Sequence, residues 1–318
     1  MEGLQPEYKK REYLSYSTLL SFARCPRKYF YQKSGIFPQE EPTALLYGTA
    51  MHKAVDVGLR EGLEAGVAAF LSVWDETFAD DKRNTVRAKA QLSHFIHTHD
   101  KGRSIFNLLP PPEGTVQVDD ATSPYEIPFA IDIGLPIPLT GRLDGWGVHR
   151  DTGEFWGREF KTMSRMGGGV MECLNLNPQL LTYALVLKTL TGKKISGIMF
   201  EAMLIDAKKV DNETHPIYIQ DHMLDDILQW LRYHGELLLA CEARGVFPKN
   251  FAGCSAYPMF YMPASKCEYT NLCTVPDYKD MVSYYSIRQD PVPLTIRKTD
   301  ASQSDGKTAE GSVDLKAG

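Results

Sequence analysis

Residues 139–162 constrain this chain more than any other stretch. Residues 139–148 alternate apolar and polar side chains, residues 154–162 alternate again, and Asp151-Thr152-Gly153 lies between them. Alternation gives strands, and a Gly that takes positive φ freely gives the turn, so the stretch predicts an antiparallel β-hairpin. Asp144 falls on the first strand. Glu159 and Lys161 lie two apart on the second, so they share a face. Two carboxylates and a lysine on one face of a sheet have two readings. One is a solvated hairpin carrying an ion pair. The other is a site for a hard divalent cation such as Mg²⁺, which takes one or two carboxylates together with waters and substrate phosphate. On this stretch alone the two readings stand level.

The rest of the chain supplies elements around the hairpin. Ser15 or Ser17 caps a helix whose apolar face is Leu19, Leu20, Phe22 and Ala23, and Pro26 ends it just after Cys25. Gly48-Thr49-Ala50-Met51-His52 opens a helical pattern reaching about residue 69, with His52 near its start. Residues 70–103 read as helical and basic, through Lys82, Arg83, Arg87, Lys89, Lys101 and Arg103. That face is either solvated or a phosphate-tracking surface. His94, His97 and His99 lack the further ligands of a tetrahedral site. A loop at 107–124 leads to a strand at 125–133 with Glu126 at its start, a second-rank candidate for the cleft around Asp144. Gly167-Gly168-Gly169 reads as a flexible loop between strand and helix. Asn177 caps a helix with Pro178 at its first position. On it Gln179 and Tyr183, four apart, share a face. A strand at 195–205 and an amphipathic helix at 219–244, stopped by Gly245, complete the pattern.

Composition narrows the class. With 318 residues, 43% hydrophobic and 24% charged, the chain can bury a core as an ordinary globular protein. A net charge of −5 argues against a protein that simply coats nucleic acid, though not against a local basic patch. No apolar run suggests a membrane span, and the start carries no secretory signal, so the expectation is a cytoplasmic protein. Under that expectation the six cysteines point to metal ligation before disulfides. Cys25, Cys254, Cys267 and Cys273 form the candidate set, while Cys173 and Cys241 read as buried free thiols. No Gly-x-x-x-x-Gly-Lys-Ser/Thr loop exists, so no nucleotide-driven motor is present.

Taken together, Ser15-x-Ser17…Cys25-Pro26-Arg27-Lys28-Tyr29, Gly48-x-x-x-His52, Asp144, Glu159-x-Lys161, Gln179-x-x-x-Tyr183 and the C-terminal cysteines resemble the RecB-like branch of the PD-(D/E)XK nuclease superfamily. That branch includes CRISPR-associated RecB-like nucleases, the AddB nuclease domain and many phage-encoded exonucleases. The resemblance spans roughly residues 13–273. It implies an α/β fold with a central mixed sheet flanked by helices, and a metal-dependent DNA exonuclease of recombination or repair, phage or prophage in type. An endonuclease on the same site, or a scaffold with an inactive site, are the rivals. It implies that Asp144, Glu159, His52 and the Phe160 carbonyl hold Mg²⁺ or Mn²⁺, that Lys161 orients or helps deprotonate the attacking water, and that Gln179 and Tyr183 position DNA. It implies a [4Fe–4S] cluster on Cys25, Cys254, Cys267 and Cys273, clasping the two ends of the chain. The long spacing from Cys254 to Cys267 leaves a structural Zn²⁺ open. The expected organisation is a flexible arm at 1–12, a nuclease domain at 13–287 with a helical insert at about 53–106 and the cysteine block at 254–273, and a disordered tail at 288–318. Expected partners are DNA, a single-strand annealing protein and further copies of the chain.

Overall fold

The computed structural model of the chain describes residues 12–39, 43–99, 105–113, 115, 126–164, 172–251 and 267–288. Residues 1–11, the glycines at 167–169, Cys254 and the tail beyond 288 lie outside these residues. A two-residue strand, β1 (Leu14–Ser15), leads into α1 (Tyr16–Arg24). The Ser15 hydroxyl caps α1 by accepting from the Thr18 N–H at 3.3 Å. Cys25 is extended, and α2 (Pro26–Lys33) starts on its proline, which opens a helix but cannot continue one.

After β2 (Ile36–Pro38) come α3 (Thr43–Glu61), α4 (Leu63–Leu71) and α5 (Thr85–His99). The single helix expected up to about residue 69 is two, because Gly62 at φ +95° breaks it. α3 also starts earlier than expected, so His52 stands mid-helix. α4 returns along α3 so closely that a Cβ on Gly66 would meet the Ala54 carbonyl oxygen at 2.8 Å and the Gly58 Cα at 2.9 Å. The 70–103 stretch is likewise interrupted, with only a short 3₁₀ turn at Glu76–Phe78 between α4 and α5.

The strands β3 (Phe106–Leu108), β4 (Ile127–Ile131), β5 (Leu139–Leu143), β6 (Trp146–His149) and β7 (Phe155–Met163) precede α6 (Pro178–Thr191). Then follow β8 (Ile195–Ile205), β9 (Val210–Tyr218), α7 (Asp221–Arg244), α8 (Thr270–Thr274) and β10 (Tyr285–Ile287). The main sheet is mixed, in the order β3-β6-β7-β8-β9, with β7 and β8 parallel and the other neighbours antiparallel. A second sheet runs β1-β5-β4. The β6–β7 hairpin forms as expected. The strand expected over 139–148 is instead broken at Asp144 and Gly145, and its halves belong to different sheets. Gly145 has φ +131°, a conformation that L side chains rarely adopt.

Both faces of the main sheet are covered. α1, α6, α7 and the β4–β5 pair share one core with Ile198, Phe200 and Ala202 of β8. The α3–α5 group packs Met51, Ala54, Leu92 and Phe95 against Phe160, Met203 and Ile205. The two ends of the described chain also meet. β2 pairs antiparallel with β10, Tyr31 and Ile36 pack on Tyr269 and Leu272, and the Tyr269 hydroxyl donates to the Ile36 carbonyl at 2.9 Å. Among the described residues no helix is long and apolar enough to cross a membrane.

Candidate active site

The break after β5 creates the site. β6 pairs with β7 only along residues 155–157, so the edge of β7 beyond Gly157 loses its ladder partner on that side. Asp144 fills the vacancy. The Phe160 N–H donates to Asp144 Oδ2 at 2.9 Å, and the Arg158 N–H donates to the Gly145 carbonyl at 2.9 Å. In an extended strand a residue's N–H and C=O leave on the same edge. The Phe160 carbonyl therefore faces the Asp144 side, away from β8. Asp144 thus sits at a strand junction and not within a strand, as the alternation had suggested.

Glu159 is fully buried, at 0% exposure. The Lys161 ammonium is in contact with Oε1, and Oε2 has no hydrogen-bond partner. Burial pushes the Glu159 pKa up to about 8; the nearby Asp144 charge adds to this and Lys161 opposes it. For Lys161, burial acts downward, but Glu159 and Asp144 outweigh it and hold its pKa above the ordinary value. His52 reaches in from α3, with Nδ1 4.0 Å from Asp144 Oδ2 and its ring edge-to-face on Phe160. Burial lowers the His52 pKa, Asp144 works against this, and Lys161 and Arg158 add to it. A neutral imidazole is the form that ligates metals.

Gln179 and Tyr183 share a face of α6, and Gln179 Nε2 donates to the Tyr183 hydroxyl at 3.1 Å. Burial raises the Tyr183 pKa well above normal, and the charges of Glu159 and Asp144 raise it further. Glu126 precedes β4 and pairs with Arg142 at 3.1 Å. Both line a groove of about 900 Å³ that also takes in His52, Lys53 and Lys161. Burial raises the Glu126 pKa; Arg142 lowers it, and the charges of Asp56 and Asp144 raise it.

The donor set fits a hard divalent cation. A fully buried carboxylate that one lysine meets at Oε1, with Oε2 left without a hydrogen bond, is a place for a further cation. Asp144 and a neutral His52 stand alongside. Among the described residues no three His, Cys, Asp or Glu side chains form a ready-made metal cage.

Other expected features fall differently. The basic surface is largely engaged: Arg83 pairs with Asp80 at 2.7 Å, Lys89 with Glu64 at 3.6 Å, and Arg87 Nη2 donates to the Asp206 and Lys209 carbonyls. Lys101 and Arg103 lie outside the described residues. Cys173 is exposed, not buried, and Cys241 is half-buried. Cys267 and Cys273 flank the Tyr269–Leu272 cluster, and the Cys273 thiol lies 3.8 Å from the Tyr31 hydroxyl. Burial raises the Cys267 pKa. Cys25 sits at the α1–α2 junction. Lys249 Nζ donates to the Cys273 carbonyl at 2.6 Å, and Asn250 Nδ2 to the Arg24 carbonyl at 2.7 Å. Residues 249–250 therefore tie the neighbourhood of Cys25 to that of Cys273.

Sequence reasoning passed over Tyr16, Arg158 and Glu201. Burial raises the Tyr16 pKa; Arg24 opposes this, and the Glu159 charge adds to it. Glu201 is a lone acid inside the apolar strand β8, which is a legible signal because a buried charge demands a partner.

A mixed sheet whose broken neighbour strand presents an aspartate to a Glu-x-Lys strand defines a class of metal-dependent nuclease folds. The chain belongs to the PD-(D/E)XK nuclease superfamily, whose family description matches residues 13–274. Nucleases of this superfamily generally use divalent metals such as Mg²⁺ or Mn²⁺. One similar solved structure is a protein from Eubacterium rectale whose exonuclease role is itself only a proposal. It is 15% identical, covering 83% of this chain and 93% of that one, with a TM-score of 0.48. No curated protein matches the chain.

Proposed function

We propose that the protein is a Mg²⁺- or Mn²⁺-dependent deoxyribonuclease of the RecB-like branch that shortens DNA from an end. The observation that carries this reading is the fully buried Glu159 carboxylate, met by Lys161 at Oε1 alone, beside Asp144 at the open edge of β7. Asp144, Glu159, His52 and the Phe160 carbonyl would hold the ion. When bound, the ion lowers the pKa of a water and stabilises charge on a phosphoryl oxygen. Lys161, kept as an ammonium, donates to that water or to the scissile phosphate. Its task is to hold the nucleophile in line and to offset charge on the phosphate. Gln179 and Tyr183 present an amide and a phenol to the strand backbone from α6. Glu126, paired with Arg142, is a second-rank member of the same groove as His52 and Lys161.

The reading extends to context. The reaction serves recombination or repair, in a phage or prophage setting, alongside a single-strand annealing protein and with copies of the chain assembling together. Cys25, Cys254, Cys267 and Cys273 hold a [4Fe–4S] cluster that staples both ends of the chain, with Zn²⁺ on the same thiolates as the other option. The proximity of Cys267 to Cys273, and the 249–250 link between the Cys25 and Cys273 regions, favour a shared site.

End-labelled linear DNA and covalently closed circles, each incubated with Mg²⁺, Mn²⁺ or EDTA, test the activity. Metal-dependent release from the ends of linear DNA, with circles left intact, is expected. Cut circles would turn the assignment to an endonuclease. Binding without cleavage under every condition would leave a scaffold. Visible absorption with iron and zinc content of anaerobically purified protein tests the clasp.

A further inference from the structure

Behind the proposed metal site runs a buried chain of charge that the proposed chemistry leaves unused. Arg158 on β7 and Glu201 on β8 are 2% and 3% exposed. Arg158 Nε donates to Glu201 Oε2 at 2.7 Å. His99, the last residue of α5, places Nε2 2.7 Å from Glu201 Oε1 and Nδ1 2.9 Å from the Phe95 carbonyl. At the other end Arg158 Nη1 donates to the Asp144 carbonyl at 3.1 Å. One guanidinium therefore bridges a buried carboxylate and the main chain of the residue at the strand break.

Stability is a poor explanation for this arrangement. Two charges taken out of water cost more than their attraction commonly returns, and well-packed apolar residues of similar volume often serve as well or better. What an apolar pair cannot do is donate to a main-chain carbonyl. The Asp144 carbonyl lies where the chain leaves the β1-β5-β4 sheet and has not yet joined the main sheet. The planar fork of Arg158 fixes that carbonyl in direction as well as distance. Through Glu201 and His99 the same fork is tied to α5. Helix α5 packs against α3, which carries His52, in a shared core that includes Phe160.

We infer that Arg158, Glu201 and His99 are positioning residues that set the metal affinity of the site by registering Asp144 on its strand break against the helices that carry His52. The inference rests on the metal-dependent nuclease reading above. None of the three touches the metal or the substrate in this scheme. They act as the outer partners that orient ligands, whose loss typically costs about 10- to 100-fold in metal affinity.

The test is Mn²⁺ binding by isothermal titration calorimetry on the full chain. It compares wild type, Asp144→Ala, and the paired substitution Arg158→Met/Glu201→Leu. The pair removes both buried charges at once, so neither is left facing the other's gap; His99 Nε2 and the Asp144 carbonyl lose these partners, and the melting temperature is recorded to show that the variant is folded. Its Mn²⁺ affinity should fall about 10- to 100-fold. His99→Leu, at the least buried end of the chain of contacts, should fall in the same direction by a smaller factor, and it decides the matter if the paired variant does not fold. A folded variant that binds Mn²⁺ within twofold of wild type overturns the inference. A wild-type protein with no Asp144-dependent Mn²⁺ binding overturns instead the nuclease reading beneath it.

Discussion

Replacing Glu159 with Gln should stabilise the metal-free protein while abolishing cleavage. In the unfolded chain a glutamate loses its proton near pH 4.5. In the folded protein burial, reinforced by Asp144, holds the Glu159 proton until about pH 8. A carboxylate whose pKa is raised on folding contributes its full stability below the unfolded value and loses it as pH rises towards the folded value. At pH 7 the group is held protonated about 2.5 pH units above its ordinary value. At about 1.4 kcal/mol per unit, this costs the fold ~3 kcal/mol that a neutral glutamine does not incur. For a chain of this size that is a rise of roughly 5 °C in melting temperature. The assay is thermal or urea unfolding in EDTA between pH 5 and pH 8. Wild type and Glu159→Gln should nearly coincide at pH 5 and diverge steadily above it, with wild type the weaker. Adding Mn²⁺ at pH 8 should raise wild type more than the variant, which keeps Asp144 and His52 but lacks the Glu159 carboxylate. A wild-type curve that runs parallel to the variant across this range would refute the claim that Glu159 is a destabilised, metal-awaiting carboxylate.

Three further outcomes follow from the same geometry. Asp144→Ala removes a proposed ligand and the acceptor of the Phe160 N–H, and should cut the cleavage rate by about 10³-fold, the equivalent of ~4 kcal/mol, while circular dichroism stays native. Lys161→Ala should lower kcat by about 10²- to 10³-fold with Mn²⁺ affinity unchanged by calorimetry, since a donor to the reacting atoms is lost and no ligand is. Gly66→Val forces branched carbons into the contact with Gly58 and the Ala54 carbonyl, and should cost about 1–3 kcal/mol in urea unfolding.

The hairpin, the capped helices α1 and α6 and the long strand β8 were legible because their signals are local. Period-two alternation, Ser15 and Asn177 as caps and Pro26 and Pro178 as helix openers each act within a few residues of themselves. The break at Asp144–Gly145 was not legible. Glycine inside an alternating run fits a strand as readily as a junction, and only the competing sheets β1-β5-β4 and β3-β6-β7-β8-β9 decide which. The same holds for His52, whose helix begins at Thr43, where no capping signal had been read. The residues proposed for chemistry were nameable from short motifs, yet their chemistry lies in what the motifs omit. Glu159 and Lys161 are two apart in any reading of the sequence. That the two meet as a buried ion pair beside Asp144 depends on where β5 breaks and on what covers this face of the sheet, which no spacing encodes. Arg158 shows the same limit from the other side. Beside Glu159 in sequence it points through the opposite face of the sheet, where Glu201 and His99, brought in by β8 and α5, give it a partner and Asp144 gives it a task. A lone acid in an apolar strand and a lone base next to a catalytic-looking acid were each visible in the sequence. Their pairing became visible only once the parallel register of β7 and β8 set residue 160 opposite residue 201.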